Sequence, residues 1–361
     1  MDAARHFSQS YAEARAKFLA AADAADLDAT PHVHPLRGRD GEELALDVVL
    51  DGARDAEALL IVSSACHGVE GYCGSGIQIA MLQDDALRRS ARDADVAILH
   101  LHALNPYGFS WWRRTTQENV DLNRNFQDFT RPLPANPGYD TIAHWLVPET
   151  WPAPPEVEAR LAGFAREHGP AALHEAISGG QYAHPEGLFY GGVNPTWSHV
   201  TLRHVLRAHG RHCRRLGWID LHTGLGPEGV GERIFACKDD AAALARARAW
   251  WGEGVTSIYD GSSTSALLTG LMWMAAYEEC GQAEYTGIAL EYGTVPLEDT
   301  LMALRADQWL ENHPETDAEI AAHIKRQLRD AFYVDTDAWK WRVVEQAFDA
   351  TRQAVRGLSA G

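Results

Sequence analysis

Apolar positions change their spacing several times along the chain, and each change marks an element. Between residues 8 and 25, Tyr11, Phe18 and Leu19 fall on one face of a stretch rich in Ala, Glu, Arg and Lys, which predicts an amphipathic helix. From 33 to 50 the spacing shortens to alternation through Leu44, Leu46, Val48 and Leu50, and Arg39-Asp40-Gly41 reads as the turn of a hairpin. Apolar runs of strand length follow at 58–64, 95–104, 215–222 and 285–292, with a shorter one at 233–237. Helical spacing returns at 75–82, at 201–215 with Leu202, Val205, Leu206 and His209 in one stripe, and again beyond Pro296. Between 132 and 155 prolines and tryptophans dominate, including Trp145 and Trp151, and no period holds. That stretch predicts an irregular excursion at a rim or lid, since it is aromatic and not Gly/Ser-rich.

Composition narrows the class. The 361 residues, 46% of them hydrophobic, can fill the core of one large or two ordinary globular domains. A formal charge of −18 argues against nucleic acid and anionic membranes as partners, because both require a positive face. Five cysteines, an odd number without a Cys-x-x-Cys pair, read as reduced thiols. The segment Met1-Asp2-Ala3-Ala4-Arg5-His6-Phe7 lacks the pattern of a signal peptide, and no apolar run approaches transmembrane length. A soluble, cytoplasmic protein is expected.

The candidate chemistry clusters after strands. The run at 58–64 leads through small residues to Cys66-His67-Gly68-Val69-Glu70-Gly71, two possible metal ligands at the carboxyl edge where open α/β sheets bind their ligands. The helix at 75–82 starts just past them and turns its positive end toward them. Gly68 and Gly71 are expected to let backbone and substrate come close to the metal. A second strand ends in Ile219-Asp220-Leu221-His222, and a third brings Glu291 to its carboxyl end, a costly burial unless the carboxylate is paired or used. His100 and His102 share a strand face, but with no third ligand nearby they read as core histidines, His102 being the one close enough to the strand end to line the site. Arg113, Arg114, Asn123 and Arg124 suit recognition of a carboxylate and an oxyanion; from that segment alone, a surface loop of ion pairs with Glu118 and Asp121 is the plainer reading. Two other patterns fail: His174-Glu175 has Ser178 where a zinc helix needs histidine, and Gly224-Leu225-Gly226-Pro227-Glu228-Gly229 is followed by a strand, not a phosphate-binding helix. Together, His67, Glu70 and His222 form the ligand set of a catalytic zinc hydrolase with an open fourth position. Zinc lowers the pKa of its bound water to about 7, and Glu291 is the carboxylate free to take the proton.

These residues carry a resemblance. His-Gly-Val-Glu-Gly at 67–71, Asp-Leu-Asn-Arg-Asn-Phe at 121–126, His222 and Glu291, in that order, resemble the zinc carboxypeptidase superfamily, which includes carboxypeptidase A-type enzymes and the aspartoacylase and succinylglutamate desuccinylase deacylases. The sequence is most similar to a bacterial branch known only as a domain of unknown function. The resemblance implies an α/β fold with a mainly parallel, twisted mixed sheet and helices on both faces. It implies a single domain over 1–361, with a lead-in at 1–57, a Pro/Trp-rich excursion at 130–190 and carboxy-terminal helices at 297–361. One zinc ion per chain would be held by His67, Glu70 and His222, with Glu291 as general base and acid. Asn123 and Arg124 would hold a substrate carboxylate, and Arg114, in preference to Arg113, would polarise the scissile carbonyl. Tyr259 resembles the substrate-capping tyrosine, with Tyr277 and Tyr285 as rivals. The implied function is hydrolysis of an amide next to a carboxylate-bearing residue in a peptide. The alternative is deacylation of an N-acyl amino acid or another small amide or ester.

Overall fold

The computed structural model describes residues 3–360. Its strands are β1 (Ala29–Arg37), β2 (Glu43–Asp51), β3 (Ala58–Ser64), β4 (Val96–His102), β5 (Arg215–Glu228), β6 (Gly231–Phe235), β7 (Thr256–Ser257) and β8 (Glu284–Gly293). All eight join one sheet in the order β1-β2-β4-β3-β5-β8-β6-β7. The four central strands β4, β3, β5 and β8 run parallel, whereas β1 and β2 pair antiparallel with their neighbours and β6 pairs antiparallel with β8 and parallel with β7. Every residue of β3 and β4 is buried, so each side chain is covered whichever face it takes. Strands covered on both faces read as continuous apolar runs, which is why these two were legible. The hairpin of β1 and β2 turns at Gly41, whose φ of 83° suits a residue without a Cβ.

The helices are α1 (Tyr11–Ala24), α2 (Gly71–Leu82), α3 (Asp85–Asp93), α4 (Pro106–Ser110), α5 (Pro137–Leu146), α6 (Pro155–His168), α7 (Pro170–Ser178), α8 (Trp197–His209), α9 (Ala241–Trp251), α10 (Met274–Glu279), α11 (Leu297–Asn312), α12 (Ala318–Phe332) and α13 (Asp337–Ser359). They flank the sheet, with α2 and α13 lying against β3 and β5. Among the described residues no helix is long and apolar enough to cross a membrane.

Two sequence expectations change here. The stretch at 132–155 is not irregular throughout: it holds α5, and α6 and α7 follow it, with Tyr139, Ile142, Leu146, Leu161 and Ile177 sharing a core with Leu304, Leu328 and Phe332 of α11 and α12. Its prolines misled because Pro137 and Pro155 each open a helix, where a missing N–H is no loss. Nor does β5 end at His222. Its pairing with β3 stops at Ser64↔Leu221, and its tail shifts register after Thr223 and continues to Glu228. The Gly224–Gly229 run is this tail and the turn into β6. His222 is thus the first residue of β5 beyond the β3 ladder, at the carboxyl edge of the parallel core.

Candidate metal centre

After β3 the chain turns at Ala65, whose φ is 56°, and delivers His67 to the same edge. The turn that follows is tied to the arginine segment: Gly68 N donates to Arg114 O at 3.1 Å and Val69 N to Arg113 O at 2.8 Å. Gly68 and Gly71 therefore serve packing against α4, not substrate approach. A Cβ at 68 would lie 2.1 Å from the Gly108 carbonyl carbon, and one at 71 would lie 2.5 Å from the Phe109 ring.

Glu70, at the amino end of α2, is where the two imidazoles meet. His67 Nδ1 lies 2.9 Å from Glu70 Oε1 and His222 Nδ1 lies 2.9 Å from Oε2, which also accepts from Thr223 N at 3.1 Å. One ligand atom from each of His67, Glu70 and His222 falls within 4.8 Å of the others. The outer nitrogens face carboxylates. His67 Nε2 is 3.2 Å from Asp121 Oδ1, and His222 Nε2 contacts Asp220 Oδ2. Asp220 fixes the His222 tautomer that leaves Nδ1 free for a cation and makes that nitrogen more basic, whereas His67 Nε2 lies between Asp121 and the guanidinium of Arg114.

The electrostatics point the same way. Burial opposes the ionised form of Glu70, but the two imidazoles outweigh it and hold the carboxyl below the usual carboxylate range. Burial likewise opposes a charged His222, yet Asp220 and Glu70 raise its proton affinity well above that of free imidazole. A field that holds a proton there also favours a metal cation between the same groups, so the donor set fits zinc: two nitrogens, one carboxylate oxygen and ordered second partners. A second cluster, Cys66, Asp220 and His222, fits less well. Burial pushes the Cys66 thiol far up, away from the thiolate a metal needs, and Asp220 Oδ1 already accepts from Ser63.

Glu291 sits beside His222 across the β5–β8 ladder, with Oε1 accepting from Leu225 N at 3.1 Å. Burial, then the negative charge of Glu70, push its carboxyl up to about 8. Arg114 reaches the centre, its Nε donating to Asp121 Oδ2 at 3.0 Å and its guanidinium lying 3.4 Å from Glu70 Oε1 and 2.8 Å from His67 Nε2. Arg113 does not: it bonds Asn119 and faces Asp307 and Glu311 of α11.

Residues 7–346 match a family described as "Protein of unknown function (DUF2817)". The chain belongs to the DUF2817 family. No curated protein matches it. Among solved structures, this DUF2817 chain is similar to carboxypeptidase A from Helicoverpa armigera, at 12% identity and a TM-score of 0.52, over 98% of this chain and 74% of that one. It is also similar to bovine thrombin-activatable fibrinolysis inhibitor, in complex with a tick carboxypeptidase inhibitor, at 10% identity and a TM-score of 0.53, over 98% of both chains. The fold is that of the metallocarboxypeptidases.

In this DUF2817 protein, His67, Glu70, Arg114, Asn123, Arg124, His222 and Glu291 line one cavity. Asn123 Oδ1 accepts from Met272 N at 3.0 Å, and the buried Nε–H of Arg124 has no partner. Tyr259 is not in that cavity. Its hydroxyl donates to Cys237 O at 2.6 Å, and Tyr277 and Tyr285 pack edge-on against each other, so no tyrosine among the described residues lines the site. His100 and His102 are core histidines on β4, His102 bonded to Ser75 and stacked on Phe18. Sequence reasoning missed the roles of Asp121 and Asp220. Asp220 had a signal: two residues before His222, it shares that face of the strand.

Proposed function

We propose that this protein is a zinc-dependent hydrolase that cleaves an amide bond next to a carboxylate-bearing residue, in the manner of a carboxypeptidase. The observation that carries the reading is the convergence of two Nδ1 atoms on Glu70, each imidazole backed by a carboxylate, with Glu291 buried alongside.

His67, Glu70 and His222 would hold one zinc ion per chain. When bound, zinc supplies Lewis acidity and acidifies a coordinated water. Glu291 receives the proton from the attacking water at Oε2, since Oε1 is held by the Leu225 N–H, and passes it to the departing nitrogen. Burial and the charge of Glu70 favour the protonated carboxyl, and a cation beside it would offset Glu70 and favour the carboxylate that takes the proton. The guanidinium of Arg114 faces the developing oxyanion, and Asn123 with Arg124, which line the same cavity, receives the substrate carboxylate. A deacylase for N-acyl amino acids uses the same residues, and the wall that α7 forms beside Arg124 favours that variant.

Glu291→Gln is expected to keep its metal and lose hydrolysis by about a thousandfold, whereas His67→Ala loses the metal. Metal analysis of both purified variants, with mass-spectrometric assay of N-acyl amino acids and peptides, checks this. An active Glu291→Gln protein overturns the assignment.

A further inference from the structure

One end of the cavity is fixed by backbone contacts. Asn119 Nδ2 donates to Pro185 O at 2.8 Å and Asp121 N to Tyr190 O at 2.8 Å. Arg124 Nη2 donates to Ser178 O at the end of α7 at 2.6 Å, and Asn125 Nδ2 to Gly191 O at 2.8 Å. A carboxylate held at Arg124 is therefore held at a set place, and Glu291, with Oε2 free, marks the scissile amide. The rest of such a chain continues past Glu291, where two features meet. Leu225 N donates to Glu291 Oε1 at 3.1 Å, and Thr300 Oγ1 lies 3.5 Å from Gly224 O, so the tail of β5 and the first turns of α11 both adjoin the base.

The first feature is an apolar stripe on α11. Leu297, Leu301 and Leu304 stand at i, i+4 and i+7, and all three line the cavity. Their exposure falls inward, from 53% at Leu297 to 6% at Leu304, so the stripe leads from solvent to the site. Seven residues of helix rise about 10 Å, the reach of about three extended residues. The second feature is the backbone of β5. Its ladder with β3 stops at Leu221, and its ladder with β8 passes from Thr223 to Glu228, which leaves residues 224–227 without a ladder partner. Gly224 and Leu225 of that stretch also line the cavity. Unpaired strand backbone is a template for a further strand, with main-chain hydrogen bonds for affinity and side-chain contacts for selectivity.

We infer that the residues preceding the scissile amide lie extended along residues 224–227 of β5, with apolar side chains against Leu297, Leu301 and Leu304. The substrate is then a peptide selected for apolar residues upstream of the bond that is cut; an acyl chain has no backbone amides and meets the stripe without the strand. This rests on the carboxypeptidase reading for the place of the scissile amide. The test uses acetyl-Leu-Leu-Leu, acetyl-Ser-Ser-Leu and decanoyl-leucine. Calorimetry measures their binding to zinc-loaded Glu291→Gln, where turnover plays no part, and kcat/KM is measured on the zinc-loaded wild-type enzyme. The leucine peptide is expected to exceed each of the others about tenfold in both measurements. Equal binding of the two peptides overturns the inference, as does decanoyl-leucine binding as tightly as the leucine peptide, or failure of all three to bind. If the order holds in binding and the wild type hydrolyses none, the groove stands and only the hydrolase reading falls. If all three are hydrolysed at equal rates, the hydrolase reading stands and the inference falls. Leu297→Ser changes an exposed side chain, and it is expected to cut the leucine-to-serine ratio about threefold. An unchanged ratio in both Leu297→Ser and Leu301→Ser takes α11 out of substrate selection and overturns the inference.

Discussion

His67 and His222 each have one ring nitrogen on Glu70 and the other on an aspartate, and the second contact decides how good a ligand the first can be. An imidazole that donates Nε2–H to a carboxylate keeps its Nδ1 lone pair aimed and electron-rich. Asp220→Asn keeps the size of the side chain but removes the charge, and is expected to weaken metal affinity by about 10–100-fold, measured by competition against a chelator. The proposed ligands and base were legible because each lies in or just after a recognisable apolar run: His67 and Glu70 after β3, His222 on β5 and Glu291 on β8. Their supports were harder to see. Asp121 lies in the motif that carries the arginine, and its ion pair with Arg114 reads equally well as surface chemistry until the fold brings His67 to within 3.2 Å of it. Tyr259 failed for a different reason. Nothing local in a loop of Ser, Asp and Gly says which way a phenol turns, and here it turns to the Cys237 carbonyl.

Among elements, the turn from β3 into α2 has least freedom, because α4 and the arginine segment press against it. Gly68→Ala would drive a Cβ to within 2.1 Å of the Gly108 carbonyl carbon and 2.3 Å of Phe109 N, and backbone cannot swing aside as a side chain can. The expected loss is about 3 kcal/mol or more in urea unfolding, with weakened metal binding, since the displaced turn carries Glu70. Gly41→Ala is the contrast: its φ of 83° strains any residue with a Cβ, but no atom lies within 4 Å, so about 1 kcal/mol is expected. The strands were readable from their period, whereas α5 was not. Proline marks a helix start as readily as a break, and only the partners on α11 and α12 supply the apolar face that α5 packs against.

At the scale of the whole molecule, acid is expected to destabilise the fold through buried histidines remote from the cavity. Burial holds His100 down to about 4 and His102 down to about 3, against 6.5 when the chain is unfolded. The unfolded state therefore binds more protons between these values, so stability is complete above pH 6.5 and falls as pH drops through the window. For two such groups about 3 kcal/mol is lost between pH 6.5 and about 5. Denaturant unfolding at the two pH values measures it, and the double variant His100→Gln, His102→Gln should flatten the slope. With no third ligand nearby in sequence these two read as core histidines, and their place on β4, between β2 and β3, puts them behind the edge where the cavity opens.

The bonds from Asn119, Asp121, Arg124 and Asn125 to residues 178–191 have a consequence for how such a protein can diversify. The excursion and the segment that carries Arg124 share one set of backbone contacts, so neither can be trimmed, lengthened or exchanged alone. Cutting back the excursion would unseat Arg124 at the same stroke. Redesign of the entrance has to move both as a single cassette.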